Sequence, residues 1–276
     1  MNTLQKFEAK WREAKFISVG LDTEYDKLPD SIRTIQGRGE AITQFNRQII
    51  DSTIGLAGSY KLNSGFYEAE GQDGLKALKA TINYIKEKDT EMPIILDAKR
   101  ADIGNTNNRY VKMAFEILRA DSVTVNPYLG EEALRPFLDQ KEKLIIVLVK
   151  TSNPGSGEFQ DLELKDGSKL YENVAKQVAK WNKAGNLGVV VGATYPEELS
   201  QVRTLVGSMP ILIPGIGAQG GEVEATVKAG LDSNKQGIIV SSSRSIIYAS
   251  KDADFAEAAR TATEKLHTQI NSFRSL

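Results

Sequence analysis

The chain has 276 residues, with 35 Lys and Arg against 36 Asp and Glu, one histidine and no cysteine. Near charge balance excludes a global field directed at nucleic acid or an anionic membrane, so any anionic ligand must be held by local groups. The missing cysteines exclude disulfides, thiolate metal sites and cysteine nucleophiles and suit a cytoplasmic protein.

From the N-terminus, MNTLQKFEAKWREAKF is charged throughout and does not read as a signal segment, and the longest aliphatic run, Leu144 to Val149, is far shorter than a membrane span. Short β-branched and aliphatic runs then recur along the chain, and the expected strands are Phe16 to Leu21, Leu56 to Leu62, Pro93 to Ala98, Ser122 to Asn126, Leu144 to Lys150, Leu187 to Gly192, Pro210 to Pro214 and Gly237 to Ser241. Segments with helical spacing follow them: Ile42, Phe45 and Ile49 make one apolar stripe, and Val111, Phe115 and Leu118 another. Strands apolar on both faces suit a parallel sheet covered by helices. Eight strand-helix units suit a closed (β/α)8 TIM barrel, as a single α/β domain over residues 1–276, with an open doubly wound sheet as the alternative. The lone His267 lies in the helical pattern ARTATEKLHTQI and is expected on the surface, which leaves carboxyls, lysines and tyrosines as general acids and bases.

Such barrels collect their chemistry at the C-terminal strand ends. Polar residues stand there repeatedly: Asp22 in SVGLD, Lys61 and Asn63 in SYKLN, Asn126 in TVNPYLG, and Thr151 and Ser152 in KTSNPGSG. The run PIILDAKRADIGNTN is the most informative. Alternation along its strand puts Asp97 and Lys99 on one face, with Asp102 just past the strand end. Two carboxylates bracketing an ammonium are costly to desolvate, so the cluster points to a site rather than to stability. The glycines of PGIGAQGG open a helix and expose backbone N–H groups beside its N-terminus, and SSSRS brings Arg244 to the next strand end. Together these read as a phosphate site at the ends of strands seven and eight.

In order along nearly the whole chain, VGLD, SYKLN, LDAKRADIGNT, TVNPYLG, KTSNPG, PGIGAQGG and SSSRS resemble the orotidine 5'-monophosphate decarboxylase family in its longer bacterial form. The resemblance implies a cofactor-free lyase that decarboxylates orotidine 5'-monophosphate to UMP in pyrimidine biosynthesis. It implies an alternating charged network of Lys61, Asp97, Lys99 and Asp102 at the reacting carbon, with Asp102 supplied by the other subunit of a homodimer. Asp22 and Thr106 would touch the ribose, Thr106 again from the second subunit. Ser152 would read the pyrimidine, Gln219 and Arg244 would hold the phosphate, and 153–169 would be the closing loop.

The residue types agree with that chemistry. Decarboxylation at C6 leaves a carbanion with no adjacent π system to absorb it, and the chain shows no thiamine, pyridoxal or metal motif to act as a sink. Electrostatics must carry the step, with Lys99 protonated, stabilising the charge at C6 and then protonating it. The alternatives are a magnesium-dependent phosphosugar lyase or synthase of the related barrel family, a Schiff-base aldolase and an inert phosphate-binding module. Neighbouring carboxylates favour a charged lysine and so oppose the aldolase.

Overall fold

Runs of residues apolar on both faces become strands that must be covered on both sides, and here they close on themselves. The computed structural model describes residues 1–194, 196–216 and 220–275. The strands are β1 (Ile17–Gly20), β2 (Ser59–Asn63), β3 (Ile94–Arg100), β4 (Ser122–Val125), β5 (Leu144–Lys150), β6 (Leu187–Val191), β7 (Ile211–Pro214) and β8 (Ile238–Ser242). Each pairs in parallel with its successor, and β1 pairs with both β2 and β8, which completes an eight-stranded barrel. The open sheet is thereby excluded.

Helices between the strands lay their apolar stripes on the barrel. In Arg38–Thr53, Ile42, Phe45 and Ile49 are fully buried, as their spacing predicts. Val111, Phe115 and Leu118 also face inward, although the helix Gly104–Val111 widens after its last residue, where Leu118 N donates to Met113 O. The helix Thr3–Arg12 closes the N-terminal face of the barrel: Phe7 and Trp11 are buried, and Thr3 Oγ1 donates to the carbonyls of Asp121 and Glu142. Among the described residues no helix is long and apolar enough to cross a membrane.

Two expectations shift. β2 begins at Ser59 rather than Leu56, because the chain first turns tightly out of Arg38–Thr53, with Leu56 N donating to Thr53 O. Gly58 makes that entry possible, since a Cβ there would stand 2.3 Å from Lys15 O. His267 is half-buried in the helix Phe255–Ser275 rather than open to solvent, and burial pushes its imidazole below the ordinary value.

The β7 and β8 end of the barrel is tied underneath by Arg203, which is 8% exposed. Its guanidinium donates to four carbonyls, those of Gly207, Met209, Gly230 and Gly237, at 2.6 to 2.7 Å. Burial pushes this group down to about 10, with Asp232 pulling the other way. Replacing it with Leu strands several buried acceptors, each worth about 1–3 kcal/mol when left unmade. Arg203→Leu is therefore expected to lower unfolding stability by roughly 3 kcal/mol or more in urea titration. A loss under about 1 kcal/mol would show that the tie is dispensable.

Candidate active site

At the C-terminal mouth of the barrel β2 and β3 aim three charged side chains at one another. Lys61 Nζ lies 3.1 and 3.2 Å from the two carboxylate oxygens of Asp22, and 3.2 Å from Asp97 Oδ2. Lys99 Nζ donates to Asp97 Oδ1 at 2.7 Å. Asp22, Lys61, Asp97 and Lys99 thus form a row of alternating sign that starts buried and ends open: Lys61 is 4% exposed, whereas the Lys99 side chain is 47% exposed.

Simple alternation predicts that Asp97 and Lys99 share a face, and they do converge, but by another route. The register of β3 against β4 slips: Leu96 pairs with Val123 and the next pairing is Arg100 with Val125. Asp97, Ala98 and Lys99 therefore face the single residue Thr124, and Lys99 takes φ 45°, a left-handed conformation that lysine rarely adopts. Thr124 stitches the bulge by accepting from Lys99 N at 2.9 Å and donating to Asp97 Oδ1 at 2.8 Å. Strain of this kind persists where the surroundings over-determine it, which is the pattern of a functional position. Thr124 carries no signal in the sequence beyond being a polar residue inside a strand.

Two cavities meet at this row. One of about 440 Å³ is lined by Asp22, Lys61, Asn63, Phe66 and Asp97, and runs along Gly215 and Ile216 to Ser243 and Arg244. The other, about 360 Å³, is lined by Asp97 and Lys99, by Thr151, Ser152 and Asn153, and by the apolar Leu148, Val190 and Leu212. They share Asp97 and Pro214, so the cleft has a basic, serine-rich end and a half-apolar end with the charges between. Gly215 has φ 91°, which only glycine adopts without strain, and turns the chain at the end of β7. Arg244 is exposed at the cleft and makes no ion pair among the described residues. Gln219 lies outside the described residues.

Asp102 and Thr106 are not brought to the row within one chain. The Asp102 carboxylate accepts from Ile103 N at 2.6 Å and enters no ion pair among the described residues, and Thr106 sits on the helix Gly104–Val111. Neither lines either cavity. Asn63, expected at its strand end, lines the cleft and donates its backbone N–H to Asp22 Oδ1 at 3.2 Å, whereas Phe66 is a lining residue beyond the expected set.

The family model described as orotidine 5'-phosphate decarboxylase / HUMPS matches residues 39–260. The chain belongs to this family. The orotidine 5'-phosphate decarboxylases of Ralstonia pickettii and Bordetella avium are 45% and 46% identical to it over 278 residues, covering at least 99% of this chain and 100% of each relative. The solved OMP decarboxylase of Leishmania donovani superposes with a TM-score of 0.86 at 32% identity, over 100% of both chains.

In this orotidine 5'-phosphate decarboxylase family barrel the two middle groups of the row, Lys61 and Asp97, are held charged by its geometry. Burial alone would push the Asp97 carboxyl up, but Lys61, Lys99 and the Thr124 hydroxyl outweigh it and hold it below the usual carboxylate range. Burial alone would push Lys61 down, but Asp22 and Asp97 outweigh it and hold it above the usual lysine value. The contribution of Asp97 to stability is therefore fully present above its unfolded pKa of about 3.9, and is lost as pH falls through the lower folded value. That of Lys61 is fully present below about 10.4 and is lost as pH rises through its higher folded value. Urea titrations between about pH 2 and 4 should show a steeper acid loss for wild type than for Asp97→Asn, by up to about 1.4 kcal/mol per pH unit. Equal slopes would mean that the carboxyl titrates alike in the folded and unfolded chain.

Proposed function

We propose that this chain decarboxylates orotidine 5'-monophosphate to UMP in pyrimidine biosynthesis, without a cofactor, as a single domain over residues 1–276. The observation that carries the reading is the Asp22, Lys61, Asp97, Lys99 row in the middle of a two-ended cleft, in a chain similar end to end to proteins named for that reaction.

A nucleotide fits the cleft in one sense. Its phosphate goes to Arg244 and, as the resemblance implies, to Gln219, and the ribose lies against Asp22. The pyrimidine enters the half-apolar end, where Ser152 can hydrogen-bond it, which sets C6 and its carboxylate beside Asp97 and Lys99. When the bond from C6 to the carboxylate breaks, its electron pair stays on C6 in the plane of the ring and carbon dioxide leaves. The Lys99 ammonium stabilises that pair and transfers a proton to C6. UMP results, and the lysine regains its proton from water. Because the ammonium is already held by Asp97, little reorganisation is needed as charge develops. The carboxylate of Asp97 also faces that of the substrate, a repulsion relieved as carbon dioxide departs. Phosphate binding far from C6 supplies energy to hold the reactive geometry.

Asp102 and Thr106 complete the reading as residues given to a second subunit. Their segment carries the 65% exposed Ile103, and Tyr128 and Leu129 beyond β4 are 87% and 48% exposed, apolar surface that a homodimer would cover. The cytoplasm suits a cysteine-free chain.

The test uses the fall in absorbance of orotidine monophosphate. Wild type should convert it with undiminished rate in EDTA, whereas loss in EDTA would favour the magnesium-dependent alternative. Lys99→Ala and Asp102→Asn should each be inactive as homodimers. Refolded together they should regain about one quarter of wild-type activity, because about half the dimers are mixed and twofold symmetry gives each mixed dimer one intact site of two. A mixture as inactive as its parts, when wild type treated in the same way recovers, would show that Asp102 serves its own subunit.

A further inference from the structure

The segment between β5 and the helix Leu170–Trp181 is long and contains its own short turns, Pro154–Ser156 and Gly157–Gln160. It bends back to grip the strand end from which it departs. Lys150, the last residue of β5, is 1% exposed and donates through Nζ to Asp161 Oδ1 at 2.6 Å, with the ammonium 5.5 Å from the centre of the Tyr171 ring. The next residue, Thr151, is held twice by the Gln160 amide. Its backbone N–H donates to Oε1 at 2.9 Å, and Nε2 donates to its hydroxyl oxygen at 2.8 Å.

The residue after these two is Ser152, which lines the half-apolar cavity with Lys99. On its other side stands the backbone of Gly192: a Cβ there would lie 2.8 Å from Ser152 Cβ, so the serine is seated on a wall with no spare room. A lysine ammonium taken out of water is expensive even when paired. Lys150 lines neither cavity of the cleft, so direct contact with a nucleotide does not account for it.

We propose that Lys150, Gln160 and Asp161 form a latch that positions Ser152 for the pyrimidine, an inference that rests on the reading of Ser152 as the residue contacting that ring. The loop side of the latch supplies a carboxylate and an amide, and the strand side supplies a buried ammonium and a threonine. Their bonds fix the two backbone residues before Ser152, and the Gly192 wall fixes its direction. These three are positioning residues. They act on ligand affinity through Ser152 at one end of the cleft, and none of the three lines the cavity at Arg244.

The test is made on the loop side with Asp161→Asn, and separately with Gln160→Ala should the charge change impair folding. Affinities for UMP and for ribose 5-phosphate, which lacks the ring, are measured by calorimetry in the otherwise wild-type protein and in Ser152→Ala. Either loop variant should weaken UMP roughly tenfold, leave ribose 5-phosphate unchanged, and add nothing in the Ser152→Ala background. The KM for orotidine monophosphate should rise by a similar factor. Unchanged UMP affinity in both loop variants, equal losses for the two ligands, or the full loss repeated on top of a costly Ser152→Ala would overturn the latch while leaving the reading of Ser152 intact. A Ser152→Ala variant that binds UMP as wild type does would overturn that reading instead, and with it the target of the latch.

Discussion

One carboxylate holds two ammonium groups at the mouth of this barrel, and the rest of the site is arranged around that fact. Asp97 is 8% exposed, with Lys61 at 3.2 Å and Lys99 at 2.7 Å. Removing such charges from water costs several kcal/mol per ion, and their attraction offsets that only when the geometry is good, so a row of this kind is weak evidence for stability. What it provides is a fixed electrostatic direction. Lys99 cannot turn away without leaving a buried carboxylate short of one of its donors, and the slipped register of β3 with Thr124 beneath it holds the lysine in a conformation it would otherwise avoid. The local strain and the charged row therefore serve the same end.

A cleft with distinct ends follows from strand order. The β7 and β8 ends present glycine backbone, serines and Arg244, and beneath them Arg203 ties the opposite ends of the same strands. The β5 and β6 ends present Ser152 among aliphatic side chains. On the proposed reading, a molecule with a dianion at one end and a flat heterocycle at the other would be bound in one orientation, with the reacting carbon between, at the lysine. Affinity from both ends is thus available to hold the reacting atoms against repulsion in the middle.

Much of this was legible in the sequence. The eight apolar runs marked the strands to within a few residues, because a parallel barrel strand must be apolar on both faces and short. Asp97 and Lys99 were readable from a two-residue spacing, and Arg244 from its place after the last strand. Other features depend on pairings that no local pattern records. The bulge at Lys99 exists only against β4, so alternation found the correct face for a different reason. Thr124 reads as an ordinary strand threonine until Asp97 is seen above it. Lys150 reads as the end of an apolar run, and only the returning loop shows that it is buried against Asp161. Asp102 was readable from its place just past the strand end and Thr106 only by resemblance, yet within one chain neither lines the cleft: Asp102 does not bracket Lys99, because its carboxylate turns to Ile103 N instead.

The proposed decarboxylation depends on an ammonium at position 99, and the absence of any cysteine in the chain allows that dependence to be tested atom by atom. Lys99→Cys would carry the only thiol in the protein, and alkylation with 2-bromoethylamine would convert it to a lysine analogue with sulfur replacing one methylene. The cysteine variant should bind UMP but not decarboxylate orotidine monophosphate. Aminoethylation should then raise its kcat by roughly a hundredfold or more, about 2.7 kcal/mol of regained transition-state stabilisation. A neutral thiol reagent of similar length should restore nothing. Equal recovery with the neutral reagent, or a cysteine variant retaining more than roughly a tenth of wild-type kcat, would contradict the claim.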